Sequence, residues 1–323
     1  MMLRFFFFLL ILVSSLYASM VSRTKVGMGT FITVSVGEEH KNHIENSFKI
    51  MSDVEASLSS YNPSSKIYKL NKYREIDLDF FTYEALRLST KYYRQTDKYF
   101  DITVGSITKG LFHFGEVERV PKEEELQNAK VSFSGLYISK TKAFIEEGVK
   151  VDLGGMGKGY GVDKVIEYLK SQDIDKAIVS ASGDIRCLGE CVIKVQNPFG
   201  EGYLASFETK KGEAGISTSG NYNRYVKTQK NNHLINPKVK KSQQNFISIT
   251  LISELSSADL DAYATAVSVM PVKSAYDFLN THALAYIIMQ SDGELRVSEN
   301  ISEFVKNLVF YNGVEKQPSD INN

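Results

Sequence analysis

The chain has 323 residues and 36.3 kDa, enough for about two ordinary domains or one large one. Hydrophobic residues are 43%, charged residues 24%, and 38 Lys+Arg balance 38 Asp+Glu. That composition excludes a disordered chain, a collagen-like repeat and a multi-span membrane protein, and it argues against nucleic acid as a partner, which calls for a basic excess.

The N-terminus reads as an export signal. Arg4 precedes an unbroken apolar run, Phe5 to Val13, and small residues follow up to Ala18. A helix of these nine residues reaches about 14 Å, against roughly 30 Å of hydrocarbon, so a cleaved signal fits better than a permanent anchor. Residues 1–19 are therefore expected to be removed, leaving 20–323 as the working domain. No Cys lies near the cleavage region and no twin-Arg pair precedes it. The expected location is the periplasm, with inner-membrane association if the signal stays uncleaved or through a membrane-bound partner.

The spacing of the mature chain predicts elements in order. Residues 25–36 have strand composition. Ile44, Phe48, Met51, Val54 and Leu58 recur every three or four residues, predicting a helix over 41–58 with one buried face. The stretch 59–65 is turn-rich, and 79–95 reads as a second helix. Residues 142–155 read as a hairpin ending in a glycine pair, 161–172 as a short helix, and 175–198 as strand, glycine break and strands. Cys187 and Cys191 flank a turn at Gly189, and either a disulfide or two buried thiols suits them. Residues 246–253 predict a strand, 257–270 and 272–282 two helices, and 283–298 a hairpin. Helices and strands intersperse without strict alternation, so the expected class is α+β with mixed sheets. The polar tail from Val314 is expected to fray.

Four segments carry chemistry-bearing residues. The first, 151–165, places Gly154, Gly155, Gly157 and Gly159 around Lys158. Glycine amides can cradle a phosphate, although a structural turn explains the pattern as well. The second is Asp261 and Thr265, four apart on one helix and so on one face. A carboxylate and a hydroxyl are hard oxygen donors suited to Mg²⁺, but also ordinary residues of a helix. The third is His233 in a loop, a general base only if a hydroxyl comes within reach. The fourth is Tyr99-Phe100-Asp101, which would suit a planar ligand or a strand-edge turn. Residues 216–225 read as a polar loop.

Taken in order, eight segments resemble the ApbE family of FAD:protein FMN transferases: MGT (28–30), LSSYNPSSKIYKLN (58–71), FDITVGSI (100–107), VDLGGMGKGYGVD (151–163), SASGDIRCLG (180–189), ISTSGNYNRY (216–225), HLINP (233–237) and LDAYATAVSVM (260–270). The resemblance covers nearly the whole mature chain. It implies an α+β fold with two subdomain-like halves around an FAD cleft. It implies a Mg²⁺ site at Asp261, Thr265 and the carbonyl of Gly155. It implies FAD contacts at Met28, Tyr61, Tyr99, Phe100, Asp101, Asp152, Lys158 and Ile235, and a proton-accepting role for His233. Asn236 stands where the family usually has Asp, Gly157 where it usually has Ala, and Ser182-Gly183 where it usually has a Gly pair.

The implied reaction moves the FMN part of FAD onto a Ser or Thr hydroxyl of an acceptor flavoprotein, such as a subunit of a redox complex, and releases AMP. The alternatives are hydrolysis of FAD to FMN and AMP, and flavin binding without catalysis.

Overall fold

A computed structural model describes residues 20–210 and 212–311. The export segment and the tail from Val314 lie outside the described residues.

At the centre is an eight-stranded sheet, every neighbouring pair antiparallel. Its strands lie side by side in chain order: Met20–Gly27, Thr30–Gly37, Ala177–Ala181, Asp184–Leu188, Glu213–Gly220, Phe246–Ser253, Ala285–Gln290 and Leu295–Val297. One face carries the helices His43–Leu58, Gly157–Ser171 and Ser257–Val269. A three-stranded sheet of Val192–Gln196, Tyr203–Thr209 and Val305–Phe310 belongs to the core on the other face. Alternation along a strand therefore feeds two cores. In Ala285–Gln290, Tyr286 and Ile288 join the helix side, while Ala285, Ile287 and Met289 join the opposite one. Covered on both faces, all eight residues of Phe246–Ser253 are buried, five of them apolar and the others the small polar Ser248, Thr250 and Ser253.

The chain leaves this sheet at Gly37 and returns at Ala177. The excursion supplies the second part of the molecule: helices Lys66–Tyr73 and Phe80–Gln95, a small sheet of Glu75–Asp77, Lys142–Ile145 and Leu136–Ile138, and a π-helical turn at Thr108–Phe112. The α+β class with mixed sheets is what the structure has.

Helix 43–58 buries each of the five residues whose spacing predicts it. Several expectations are corrected. Residues 25–36 are not one strand, because Met28 and Gly29 take positive φ (51° and 72°) and turn the chain back as a hairpin. The 142–155 segment is not a hairpin, since its second half, which buries Val149, Val151 and Leu153, has no strand partner beyond a bridge from Lys150 to Val104. The 161–172 helix starts earlier, at Gly157, taking Gly157 and Gly159 into its first turn. Residues 216–220 are strand rather than loop. Helix Lys66–Tyr73, which spacing missed, is capped by the Ser65 side chain accepting from the Tyr68 amide. Cys187 and Cys191 form a disulfide that sits in the sheet-to-sheet core.

Candidate functional site

Helix 257–269 is buried on almost every side. Its start is fixed twice. Ser256 accepts from the Asp259 amide at 3.1 Å, and Asp163, on helix 157–171, accepts from the Ser257 and Ala258 amides, both at 2.8 Å. The two helices cross so closely that a Cβ on Gly159 would lie 2.2 Å from the Ser257 carbonyl oxygen. That explains glycine at this helical position despite its poor helix propensity.

The crossing brings Lys158 and Asp261 together. The Lys158 ammonium lies 2.8 Å from Asp184 and 3.2 Å from Asp261. Asp261 also accepts from the Gly159 amide at 3.1 Å, and Asp184 accepts from the Ser217 hydroxyl at 2.6 Å. Both carboxylates are almost wholly buried. Burial and the neighbouring Asp184 carboxylate push Asp261 above the usual carboxylate range, while Lys158 and the Gly159 amide pull it back. Burial works against a charged Lys158, but Asp184 and Asp261 outweigh it and hold the ammonium above its ordinary range. One turn on, Thr265 donates to the Gly155 carbonyl at 3.3 Å. Asp261 and Thr265 thus face the glycine turn from the same helix.

Across the turn, Asp152 accepts from the Thr108 hydroxyl at 2.7 Å and the Gly154 amide at 3.0 Å, with the buried Lys109 ammonium 4.0 Å away. Burial opposes its charge, but Lys109 and these donors hold Asp152 below the usual carboxylate value. Lys109 lies over the Tyr61 ring, 3.2 Å from its centroid, and Arg224 donates to the Tyr61 hydroxyl. His233 shares a 3.1 Å hydrogen bond between Nδ1 and the Arg224 carbonyl, its ring edge-on to Phe114. A carbonyl only accepts, so Nδ1 carries the proton and Nε2 keeps its lone pair. Burial, then the Arg224 charge, push His233 down to about 4.

The remaining predicted residues are dispersed around this centre. The Met28 side chain reaches the start of helix 157–171, where a Cβ on Gly161 would come within 3.2 Å of its sulfur. Tyr99 is half-buried with the Lys238 ammonium 3.7 Å above its ring. Phe100 is a core residue, 3% exposed and edge-on to Tyr92. Asp101 accepts from the amide and hydroxyl of Thr103, fixing its own turn. Ile235 is buried with Phe114 and Val226 in a separate apolar cluster. Sequence reasoning missed Asp184, Ser217, Thr108, Lys109 and Arg224. Asp184, Ser217 and Arg224 lie within the motifs at 180–189 and 216–225 without being singled out, and Thr108 and Lys109 leave no local signal.

Can these residues hold a divalent cation? Two buried carboxylates face one ammonium, leaving one negative charge over, and the other nearby donors, Thr265 Oγ1 and the Gly155 carbonyl, are hard oxygens. That donor set suits Mg²⁺. Among the described residues no three His, Cys, Asp or Glu gather as a group that could hold a metal ion, so a cation here would rest on carboxylate, hydroxyl and carbonyl oxygens together.

Comparison with known proteins sets this architecture in context. The FAD:protein FMN transferase of Haemophilus influenzae is 28% identical over 286 residues, 80% of this chain and 81% of that protein. The Vibrio cholerae protein of the same name is 26% identical over 240 residues, 69% and 71% of the two chains. Among solved structures, the ApbE protein of Thermotoga maritima superposes with a TM-score of 0.82 at 23% identity, covering 90% of this chain and 100% of that one. The flavin transferase ApbE of V. cholerae follows at 0.77 and 22%, covering 89% and 99%. The fold is theirs, and the class of protein is an enzyme of the transferase type. Residues 28–288, a span that includes every candidate site residue, match the ApbE family, and the chain belongs to it.

Proposed function

We propose that this enzyme transfers the FMN part of FAD to a Ser or Thr hydroxyl of an acceptor protein and releases AMP. The observation that carries this reading is the gathering of Asp261, Thr265, Gly155 and Lys158 at one glycine turn, across from Asp152, Tyr61 and His233.

The acceptor oxygen attacks the phosphorus on the FMN side of the pyrophosphate. One phosphoester bond forms, the anhydride bond breaks, and AMP leaves with the bridging oxygen. His233 Nε2, unprotonated well below neutral pH, takes the hydroxyl proton. Lys158, held charged by Asp184, sets a cation beside the phosphates. Asp261, Thr265 and the Gly155 carbonyl would hold Mg²⁺, which when bound neutralises charge on phosphate oxygens. Tyr61, Lys109 and Asp152 supply a ring, a cation and an acceptor for the rest of the dinucleotide. Placement and charge stabilisation do most of the work, and no covalent enzyme intermediate is required.

The proposal includes export to the periplasm. The Phe5–Val13 run supports it, and a disulfide suits an oxidising compartment. FAD carries its own anhydride, so the reaction needs no ATP there.

The test is incubation with FAD and a hydroxyl-bearing acceptor, with and without Mg²⁺, followed by mass spectrometry. The expected result is an FMN-sized mass gain on the acceptor and stoichiometric AMP, both lost with chelator. Release of FMN and AMP with an unmodified acceptor would replace transfer by hydrolysis. Bound, intact FAD would leave only a binding protein.

A further inference from the structure

Between Glu213 and Glu254 the chain runs 40 residues without an acid, while carrying Arg224, Lys227, Lys230, Lys238, Lys240 and Lys241. The whole chain sums to +0, so this is a local concentration of one sign. Some of these cations are engaged elsewhere. Lys238 pairs with Asp97 and Lys241 with Glu123, both at 2.8 Å, and Lys240 donates to the Gln127 carbonyl at 2.6 Å. Arg224 donates to the Tyr61 hydroxyl. Lys227 and Lys230 are exposed and pair with no acid among the described residues.

Those two lysines sit at the turn of a short arm. Its two limbs are joined by an isolated bridge between Tyr225 and Asn232, and by the Val226 amide donating to the Asn231 carbonyl at 3.1 Å. The buried Asn232 side chain ties the arm down, donating to the Gln229 and Gln243 carbonyls, both at 2.8 Å. At the base, the His233 amide donates to the Arg224 carbonyl at 3.3 Å. Lys227 and Lys230 are each three residues from this Arg224–His233 pair. Whatever the arm holds is therefore held beside His233.

We propose that this arm docks the acceptor polypeptide through acidic residues flanking its target hydroxyl. The inference rests on the transfer reading and adds the chemistry of the acceptor. A membrane surface fits less well, because polybasic lipid sites gather about four to eight cations and this turn offers two free ones.

The test compares two labelled peptides, each with one Thr: one flanked by Asp and Glu, the other by Asn and Gln. FMN transfer and fluorescence anisotropy are measured for the wild type and for Lys227→Glu/Lys230→Glu, with a binding series on anionic phospholipid vesicles. The wild type should modify the acidic peptide with about 10-fold higher kcat/KM. The double variant should lose that preference, and so should the wild type in about 0.5 M salt, while KM for FAD stays unchanged. Equal kcat/KM for the two peptides, or a preference that survives in the double variant, overturns the proposal. So does vesicle binding that needs the two lysines when no peptide preference exists. If the wild type modifies neither peptide, the transfer reading fails and anisotropy decides the arm. Acidic-peptide binding that the double variant loses sustains docking, and its absence refutes it.

Discussion

Lys158, Asp184 and Asp261 sit where a close helix crossing meets the central sheet, and each has at least two polar partners there. The exposed Arg224 and the half-buried His233 sit at the base of an arm held by a few backbone contacts and one buried asparagine. The first region is fixed by geometry that no single side chain controls. The second is a surface feature whose side chains can change without disturbing the core. On the transfer reading proposed above, this division would give rigid placement of the anhydride on one side and an adaptable approach for the acceptor hydroxyl on the other.

Substitutions can break or sharpen this contrast. Asp261→Asn keeps the shape but removes the buried charge, and transfer should fall on the order of 10³-fold with the thermal midpoint little changed. Unchanged turnover would remove Asp261 from the chemistry. On the other side, His233→Ala should lower kcat about 10²-fold without a matching change in KM for FAD. The pH profile separates the roles further. With His233 held at about 4, its protonation should not limit transfer until pH falls to about 4, and an acid limb seen above that should follow Asp261, whose carboxyl is raised, and persist in His233→Ala. A folded value below the unfolded one means that the unfolded chain binds the extra proton. The His233 contribution to stability is thus fully present above about 6.5 and is lost as pH falls through about 4.

Asp184→Asn leaves Lys158 with Asp261 as its one carboxylate partner. Mg²⁺ dependence should move to higher concentration by about 10-fold, read by calorimetry as well as by rate. The smallest effect is expected at the join between the regions. The Asn236 side chain donates to the Val269 carbonyl at 2.7 Å, tying the His233 loop to the last turn of the Asp261 helix. Asn236→Asp removes the donor and sets a carboxylate against a carbonyl, so urea unfolding should show a loss of about 1 kcal/mol. Unaltered stability would mean that the two regions are mechanically independent.

Much of this was legible in the sequence because it is local. Spacing by three and four predicted helices over 41–58 and 257–270, observed at 43–58 and 257–269, and strand composition found the segments at 25–36 and 246–253. The resemblance found the motif order. What escaped depends on contacts between distant segments. Gly157 and Gly159 read as a loop because glycine disfavours helix, yet a backbone 98 residues later requires the missing Cβ at Gly159. Lys109 was not singled out and Arg224 entered only within the 216–225 motif, because nothing local shows that the fold sets both against Tyr61. The Met28 turn hid within a strand-like run because only its positive φ marks the reversal.

One carboxylate, Asp163, belongs to the helix of Lys158 and grips the first amides of the helix of Asp261. Those two helices must therefore travel as one body. On the transfer reading, any breathing that admits a bulky dinucleotide falls on the opposite wall, in the excursion that carries Tyr61, Thr108 and Lys109, while the gap between the Lys158 ammonium and Asp261 stays constant.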